Sequence, residues 1–312
     1  MKPTITIVTA CDRNYLWGAF LLIASASRNI PQVPIHLLQT GFTPEDIALF
    51  TQFPQVSVIQ LSEDDSRNVS NRKSEAILSA DTDYIAWMDA DCMVIGDIGN
   101  QLIPTNGEFQ IRLREASENA WIWCEHYQPG DRKGSLPKAV ASKWQQDVNQ
   151  LTTPRFDTTC VANTFVIHRR HLDFIRQWRA QIASVLPAGN HGLIDHRSPA
   201  YFMIDESVLS SVVAFSELTP PVSPFLLNRD PHAHVAHFGA NPKPWKRWRK
   251  QFWYCHTHVM ELIDWLAANG KSAPAIPWPF RRSSTPFAFA LCQLEALYTR
   301  SRSLAGAALR RN

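Results

Sequence analysis

Every position from Ile5 to Ala10 is apolar or β-branched, and Tyr15 to Ser27 then repeats at helical period through Leu16, Phe20 and Ile23. This predicts a strand, a short loop and a helix. Pro34 to Leu38 predicts a second strand. Thr43-Pro44-Glu45 supplies a helix N-cap with proline at the first helical position, and Val56 to Leu61 predicts a third strand. A further helix is expected over Asn71 to Ser79. The Tyr-Ile-Ala-Trp-Met run from Tyr84 to Met88 is apolar enough to be a strand buried on both faces. Strands alternating with short helices predict an α/β fold with a mostly parallel, doubly wound sheet. In such sheets ligands sit beyond the carboxyl ends of the strands, so the residues after Ala10 and after Met88 are expected to share one crevice.

Beyond Asp97 the periodicity is less regular. Strands are expected at Trp121 to Cys124 and Thr164 to Ile167, helices at His171 to Val185 and Tyr201 to Ala214, and a loop over Pro187 to Ala200. The stretch from Pro220 to Pro244 is proline-rich, and helical periodicity returns after Lys250. There is no internal repeat and no low-complexity tract. A chain of 312 residues with 45% hydrophobic and 19% charged positions has ordinary globular composition, which excludes a disordered or fibrous protein. A net charge of +3 does not mark a dedicated nucleic-acid binder. The six cysteines are scattered, with no C-x-x-C pair and no zinc-finger spacing, as expected of reduced thiols in a cytoplasmic protein. The first apolar run stops at Asp12 and reads as a strand, not a signal peptide, and no apolar run reaches the eighteen or so residues that cross a bilayer.

The most informative segment is Trp87-Met88-Asp89-Ala90-Asp91-Cys92, a buried strand that ends in two carboxylates one residue apart. Residues two apart on extended chain project to the same side, so Asp89 and Asp91 can reach one cation. Paired oxygen ligands suit Mg²⁺ or Mn²⁺, ions commonly shared with substrate phosphates.

This D-x-D resembles that of nucleotide-sugar glycosyltransferases of the GT-A fold. Three more segments resemble glycosyltransferase family 8, the group of lipopolysaccharide galactosyl- and glucosyltransferases and glycogenin-like enzymes. Ala10-Cys11-Asp12-Arg13-Asn14-Tyr15 resembles the family's A-x-D-x-N-Y, and Arg72 lies seventeen residues before Asp89, as a donor-contacting arginine does there. His237 to Trp245 resembles H-x-x-G-x-x-K-P-W, with the His-to-Lys spacing of six kept but the glycine two residues after the histidine. The family's N-A-G-V is replaced by Ala162-Asn163-Thr164-Phe165, and its D-Q by Asp205-Glu206. The match runs from Ile5 to Trp245, which implies a GT-A domain over 1–250, with a nucleotide-binding half to about 100 and an acceptor half from 101, followed by a helical basic extension over 251–312.

The resemblance implies a metal-dependent hexosyltransferase acting from a UDP-sugar on a saccharide or lipid-linked saccharide, with retention. It implies Asp89, Asp91 and His237 as ligands to Mn²⁺ (or Mg²⁺), donor contacts at Ala10, Asp12, Tyr15, Arg72, Asp89, Ala90 and Asn163, and Lys243 on the diphosphate. Glu206 is expected near the anomeric carbon and Asp205 on the donor sugar. The alternatives are a sugar-1-phosphate nucleotidyltransferase, which usually carries a glycine-rich loop absent from this first strand, and a non-catalytic saccharide or membrane binder. Cations interleave with aromatics from Lys243 to Tyr254, and Arg281, Arg282, Arg300, Arg302, Arg310 and Arg311 follow, a pattern suited to peripheral contact with an anionic membrane on its inner face. Aromatics between Gly107 and Pro154, namely Trp121, Trp123, His126 and Trp144, are candidates to stack on sugar rings.

Overall fold

A computed structural model describes residues 3–62, 68–186, 199–226 and 232–309. Four strands, β1 (Ile5–Asp12), β2 (Ile35–Thr40), β3 (Val56–Gln60) and β4 (Tyr84–Met88), lie parallel in the order β3-β2-β1-β4. Between them run α1 (Leu16–Asn29), α2 (Pro44–Thr51) and α3 (Lys73–Ile77). Thr43 caps α2 as expected, with Asp46 returning the bond to the Thr43 N–H. The expected helix over Asn71 to Ser79 is shorter, a 3-10 turn to Arg72 and then α3.

After β5 (Cys92–Val94) the sheet continues with β6 (Phe109–Leu113), β7 (Cys160–His168) and β8 (Val222–Ser223) in the order β4-β7-β6-β8. Strand β7 contains the predicted Thr164 to Ile167 and runs antiparallel to β4, pairing Met88 with Thr164. Its first residues therefore lie just past the carboxyl end of β4, where the D-x-D begins. β9 (Val235–His237) pairs antiparallel with β5 outside the main sheet, setting His237 opposite Cys92.

Side-chain alternation on β4 explains its unbroken apolar run. Tyr84, Ala86 and Met88 face one core layer, with Phe20, Phe50 and Trp248, while Ile85 and Trp87 face the other, with Phe165, Trp178 and Phe215. The first layer also takes Val259, Leu262 and Leu266 of α8 (His256–Ala268) and Ala288 of α9 (Thr285–Leu309). The second is closed by α5 (Lys138–Val148), α6 (Leu172–Val185) and α7 (Asp205–Phe215).

Two expectations are corrected. Trp121 to Cys124 is not a strand: Trp121 and Ile122 end helix α4 (Ala116–Ile122) and Trp123 is its C-cap. Glu118 reaches back to the Glu115 N–H at 3.1 Å, and that first-turn bond outweighs the strand preference of two tryptophans and an isoleucine. The helix expected from Tyr201 begins at Asp205, because Tyr201 closes a 3-10 turn and Ile204 has φ of +55°. Most of the expected loop from Pro187 lies outside the described residues, as do Arg310 and Arg311.

Candidate functional site

Beyond the end of β4 the two carboxylates of the D-x-D meet the imidazole of His237. One ligand atom from each of Asp89, Asp91 and His237 lies within 4.8 Å of the others. His237 Nε2 is 3.2 Å from Asp91 Oδ1 and 3.9 Å from Asp89 Oδ2, while Nδ1 is 2.7 Å from the Asn163 amide nitrogen. Register brings them together: β5 follows the D-x-D directly and carries β9 beside it, and the Phe238 N–H donates to the Asp91 carbonyl at 2.8 Å. The glycine two residues after His237 has a steric reason. A Cβ on Gly239 would lie 2.6 Å from His237 Cε1.

Lys243 Nζ donates to Asp91 Oδ2 at 2.5 Å and to the Phe238 carbonyl at 2.8 Å, and lies 5.6 Å from the centre of the Tyr15 ring. Burial works against the Asp91 carboxylate, but His237 and Lys243 hold its pKa well below the usual range. Asp89 moves the other way: burial raises it, and Lys73 opposes that only in part. For His237 burial disfavours the imidazolium, yet the Asp91 carboxylate outweighs it and raises the pKa above 6.5.

Lys73 escaped the sequence reading. Its ammonium is 2.8 Å from Asp89 Oδ1 and 3.0 Å from Asp205 Oδ2, and it donates to the Ala162 carbonyl at 3.3 Å. Burial opposes its charge, but Asp205 and Asp89 together push its pKa above the ordinary lysine value. The expected Arg72 is not brought to this cluster, since its guanidinium is held by Glu75 at 2.9 and 3.0 Å and by the Ser62 carbonyl at 2.8 Å. The dipeptide Arg72-Lys73 spans the junction of the 3-10 turn and α3; both side chains are buried, and of the two it is Lys73 that reaches the carboxylate cluster.

Asp205 and Glu206 open α7, after the positive-φ Ile204 that turns the chain into the cavity. Burial pushes the Asp205 carboxyl up to about 6, Lys73 opposing and Asp89 adding. Glu206 is fixed at both oxygens, by Arg114 Nη2 at 2.5 Å and the Ala162 N–H at 3.0 Å. Arg114, also missed, comes from the residue after β6 and bonds the Cys160 carbonyl at 2.8 Å. The described cluster thus sets four carboxylates against three permanent cations, a net charge of −1 with neutral imidazole. Two carboxylate oxygens and an imidazole nitrogen are a donor set that Mn²⁺ or Mg²⁺ accepts, and the residual negative charge favours a divalent ion.

Two cavities meet here. The smaller, about 360 Å³, is lined by Ala10, Asp12, Tyr15, Asp91 and Asn241. The larger, about 850 Å³, is lined by Asn163, Asp205, Glu206, His237 and Trp121, and both share Ser70, Lys73 and Asp89. Asp12 accepts from the Asn14 N–H at 2.9 Å, so the same carboxylate that faces the pocket caps the turn. The aromatics of the basic run are mostly interior: Trp245, Trp248 and Phe252 are buried, and Arg247 and Arg249 approach Glu295 at 3.4 and 3.7 Å.

No protein-family description matches this chain, and no curated protein matches it in sequence. Solved structures do. The galactosyltransferase LgtC, solved with donor and acceptor sugar analogs, aligns over 86% of this chain and 97% of its own at 14% identity and a TM-score of 0.53. The bifunctional glycosyltransferase WbbM aligns over 78% of this chain at 14% identity and a TM-score of 0.51, but the chain spans only 47% of it. GlyE of Streptococcus pneumoniae TIGR4 aligns over 88% of this chain and 65% of its own, at 15% identity and a TM-score of 0.50. The chain therefore has the GT-A fold of these glycosyltransferases.

Proposed function

We propose that this protein is a metal-dependent glycosyltransferase that moves a hexose from a UDP-sugar to a hydroxyl of a saccharide or lipid-linked saccharide, with retention at the anomeric carbon. The observation that carries the reading is the convergence of Asp89 and Asp91 of the D-x-D with His237, 146 residues further along the chain, at the crevice end of a parallel sheet. These three would hold the ion, which when bound neutralises diphosphate charge as the bond from sugar to phosphate lengthens.

The chain's own residues do the rest. The smaller cavity, with Asp12 and Tyr15, takes the nucleoside, so that the diphosphate lies toward Asp89. Two of the three Lys243 ammonium protons are engaged with Asp91 and the Phe238 carbonyl, and the third serves a phosphate oxygen. Lys73 keeps Asp205 ionised and aimed into the larger cavity, where it accepts from sugar hydroxyls, with Asn163 beside it. Glu206, held at both oxygens, faces the positive charge that grows at the anomeric carbon. The bond to the β-phosphate breaks, the acceptor oxygen bonds the same carbon, and its proton passes to the departing phosphate.

The exposed side of α9 is where we place contact with an anionic membrane surface at the cytoplasmic face. Phe287, Leu294 and Leu297 recur at helical spacing and stand 60–61% exposed, and exposed Arg281 and Arg282 precede the helix. No helix among the described residues is long and apolar enough to cross a membrane. The activity is tested by UDP release from a set of UDP-hexoses with Mn²⁺, where turnover that stops with EDTA and returns with metal is expected. Equal turnover in EDTA contradicts the metal-dependent reading.

A further inference from the structure

The fold sorts the candidate sugar-stacking aromatics of the segment between Gly107 and Pro154. Trp123 and Trp144 are fully buried, and His126 lies against Trp123 and Phe202. Trp121 alone of the three tryptophans is open, at 78% exposure, and it lines the larger cavity in the part not shared with the smaller one. An exposed indole is a large, flat, mostly apolar face with one N–H donor, and here it stands in a cavity wall among charged groups.

Its support is rigid. Asn119, two residues earlier on α4, is wholly buried; it donates to Thr158 Oγ1 at 2.5 Å and accepts from Thr159 Oγ1 at 2.9 Å. Trp123, two residues later, packs edge-on against Phe202 at 4.8 Å. The indole is thereby presented by an anchored helix, which lowers the entropy lost when something stacks on it. On the same cavity wall, Arg112 Nη2 donates to both oxygens of Glu118 at 2.6 and 2.7 Å, and Ser117 adds a hydroxyl.

A flat apolar plate edged by charged donors and acceptors matches a pyranose ring, which carries C–H groups on its face and hydroxyls around its rim. An acyl chain would need a continuous apolar groove, whereas the apolar lining here, Ile122, Val161, Met203 and Phe252, is interrupted by Arg112, Ser117 and Glu118. We propose that Trp121 is the platform on which a sugar ring of the acceptor stacks, with Arg112 and Glu118 at its hydroxyls, so that the acceptor presents a pyranose and not a bare lipid alcohol or a peptide side chain. This rests on the glycosyltransferase reading and assigns the acceptor end of the same site.

The test compares wild type, Trp121→Phe and Trp121→Ala, with cellobiose, maltose and lactose as acceptor probes and UDP binding with Mn²⁺ read on every variant. Stacking predicts that Trp121→Ala raises the acceptor KM about tenfold at little cost in kcat, and that Trp121→Phe recovers most of the loss. Loss of UDP binding is not expected in either variant. Equal acceptor KM in wild type and Trp121→Ala overturns the inference while leaving the glycosyltransferase reading intact. Donor hydrolysis by wild type with transfer to none of the three disaccharides overturns it too. Absence of UDP binding in wild type instead removes the reading on which it rests.

Discussion

The proton on His237 sets the terms for any cation at the D-x-D, because imidazole ligates a metal only when neutral. Asp91 raises the His237 pKa above its ordinary value, so Mn²⁺ must displace a proton over a range that extends higher in pH than for a free imidazole. Affinity for Mn²⁺ should fall on acidification, approaching about tenfold per pH unit below that pKa. Calorimetry from pH 8 to 6 in buffers of different ionisation heat checks it, and a flat profile would contradict it. In chelated protein the sign reverses: a raised histidine pKa gives stability that is full below 6.5 and is lost as pH rises through the folded value. Lys73→Met leaves Asp89 and Asp205 buried without their shared cation, and a loss of about 3 kcal/mol in denaturant unfolding is expected. A stability within error of wild type would remove Lys73 from that role. Glu206→Gln keeps the size but weakens the link to Arg114; if the carboxylate faces positive charge at the anomeric carbon, kcat should fall at least tenfold, whereas near-full transfer would exclude that role. That the D-x-D, His237 and Lys243 come together was legible because the D-x-D ends an apolar strand and the other two stand in a segment that resembles a family motif. Lys73 and Arg114 were not, since neither carries a motif and their importance comes from the partners that folding supplies.

At the level of elements, two glycines hold the site open. A Cβ on Gly18 would fall 2.6 Å from the Ala90 carbonyl oxygen and 2.8 Å from the Trp245 ring, so α1 sits against the D-x-D backbone only because that side chain is missing. Gly239 stands in the same relation to His237. Gly239→Ala should therefore weaken Mn²⁺ binding at least tenfold with little change in far-ultraviolet circular dichroism, and unchanged metal affinity would show that the ring can move aside without loss. The parallel half of the sheet was readable because β1 and β4 are almost wholly apolar or β-branched and the shorter β2 and β3 alternate with clear helix signals. The helix carrying Trp121 was not, because its aromatic stretch imitates a strand and its first turn is fixed by a glutamate pair in place of the usual serine or threonine signal. Where α7 begins was also hidden, for nothing in an isoleucine announces the positive φ of Ile204.

Across the whole molecule, the basic and aromatic run after Lys243 divides between two tasks that its composition did not separate. Its tryptophans complete a core layer with α1 and α8, and in the C-terminal part most of the large apolar side chains left to solvent, Phe287, Phe289, Leu294 and Leu297 among them, lie on α9. Binding to vesicles with 30% anionic lipid should accordingly weaken in Phe287→Asp/Leu294→Asp protein and in high salt, as read by co-sedimentation, while equal pelleting of wild type and variant would place membrane contact elsewhere. The fold, the convergence of Asp89, Asp91 and His237, and the neighbouring Lys243 are the support for the proposal that a nucleotide diphosphate is held through a divalent ion. The most direct measurement is calorimetric titration of UDP, GDP and ADP with and without Mn²⁺, on wild type and Asp91→Asn. The account predicts binding of UDP alone, dependent on Mn²⁺ and lost in Asp91→Asn; binding that ignores the metal, or no nucleotide binding by wild type, would contradict it.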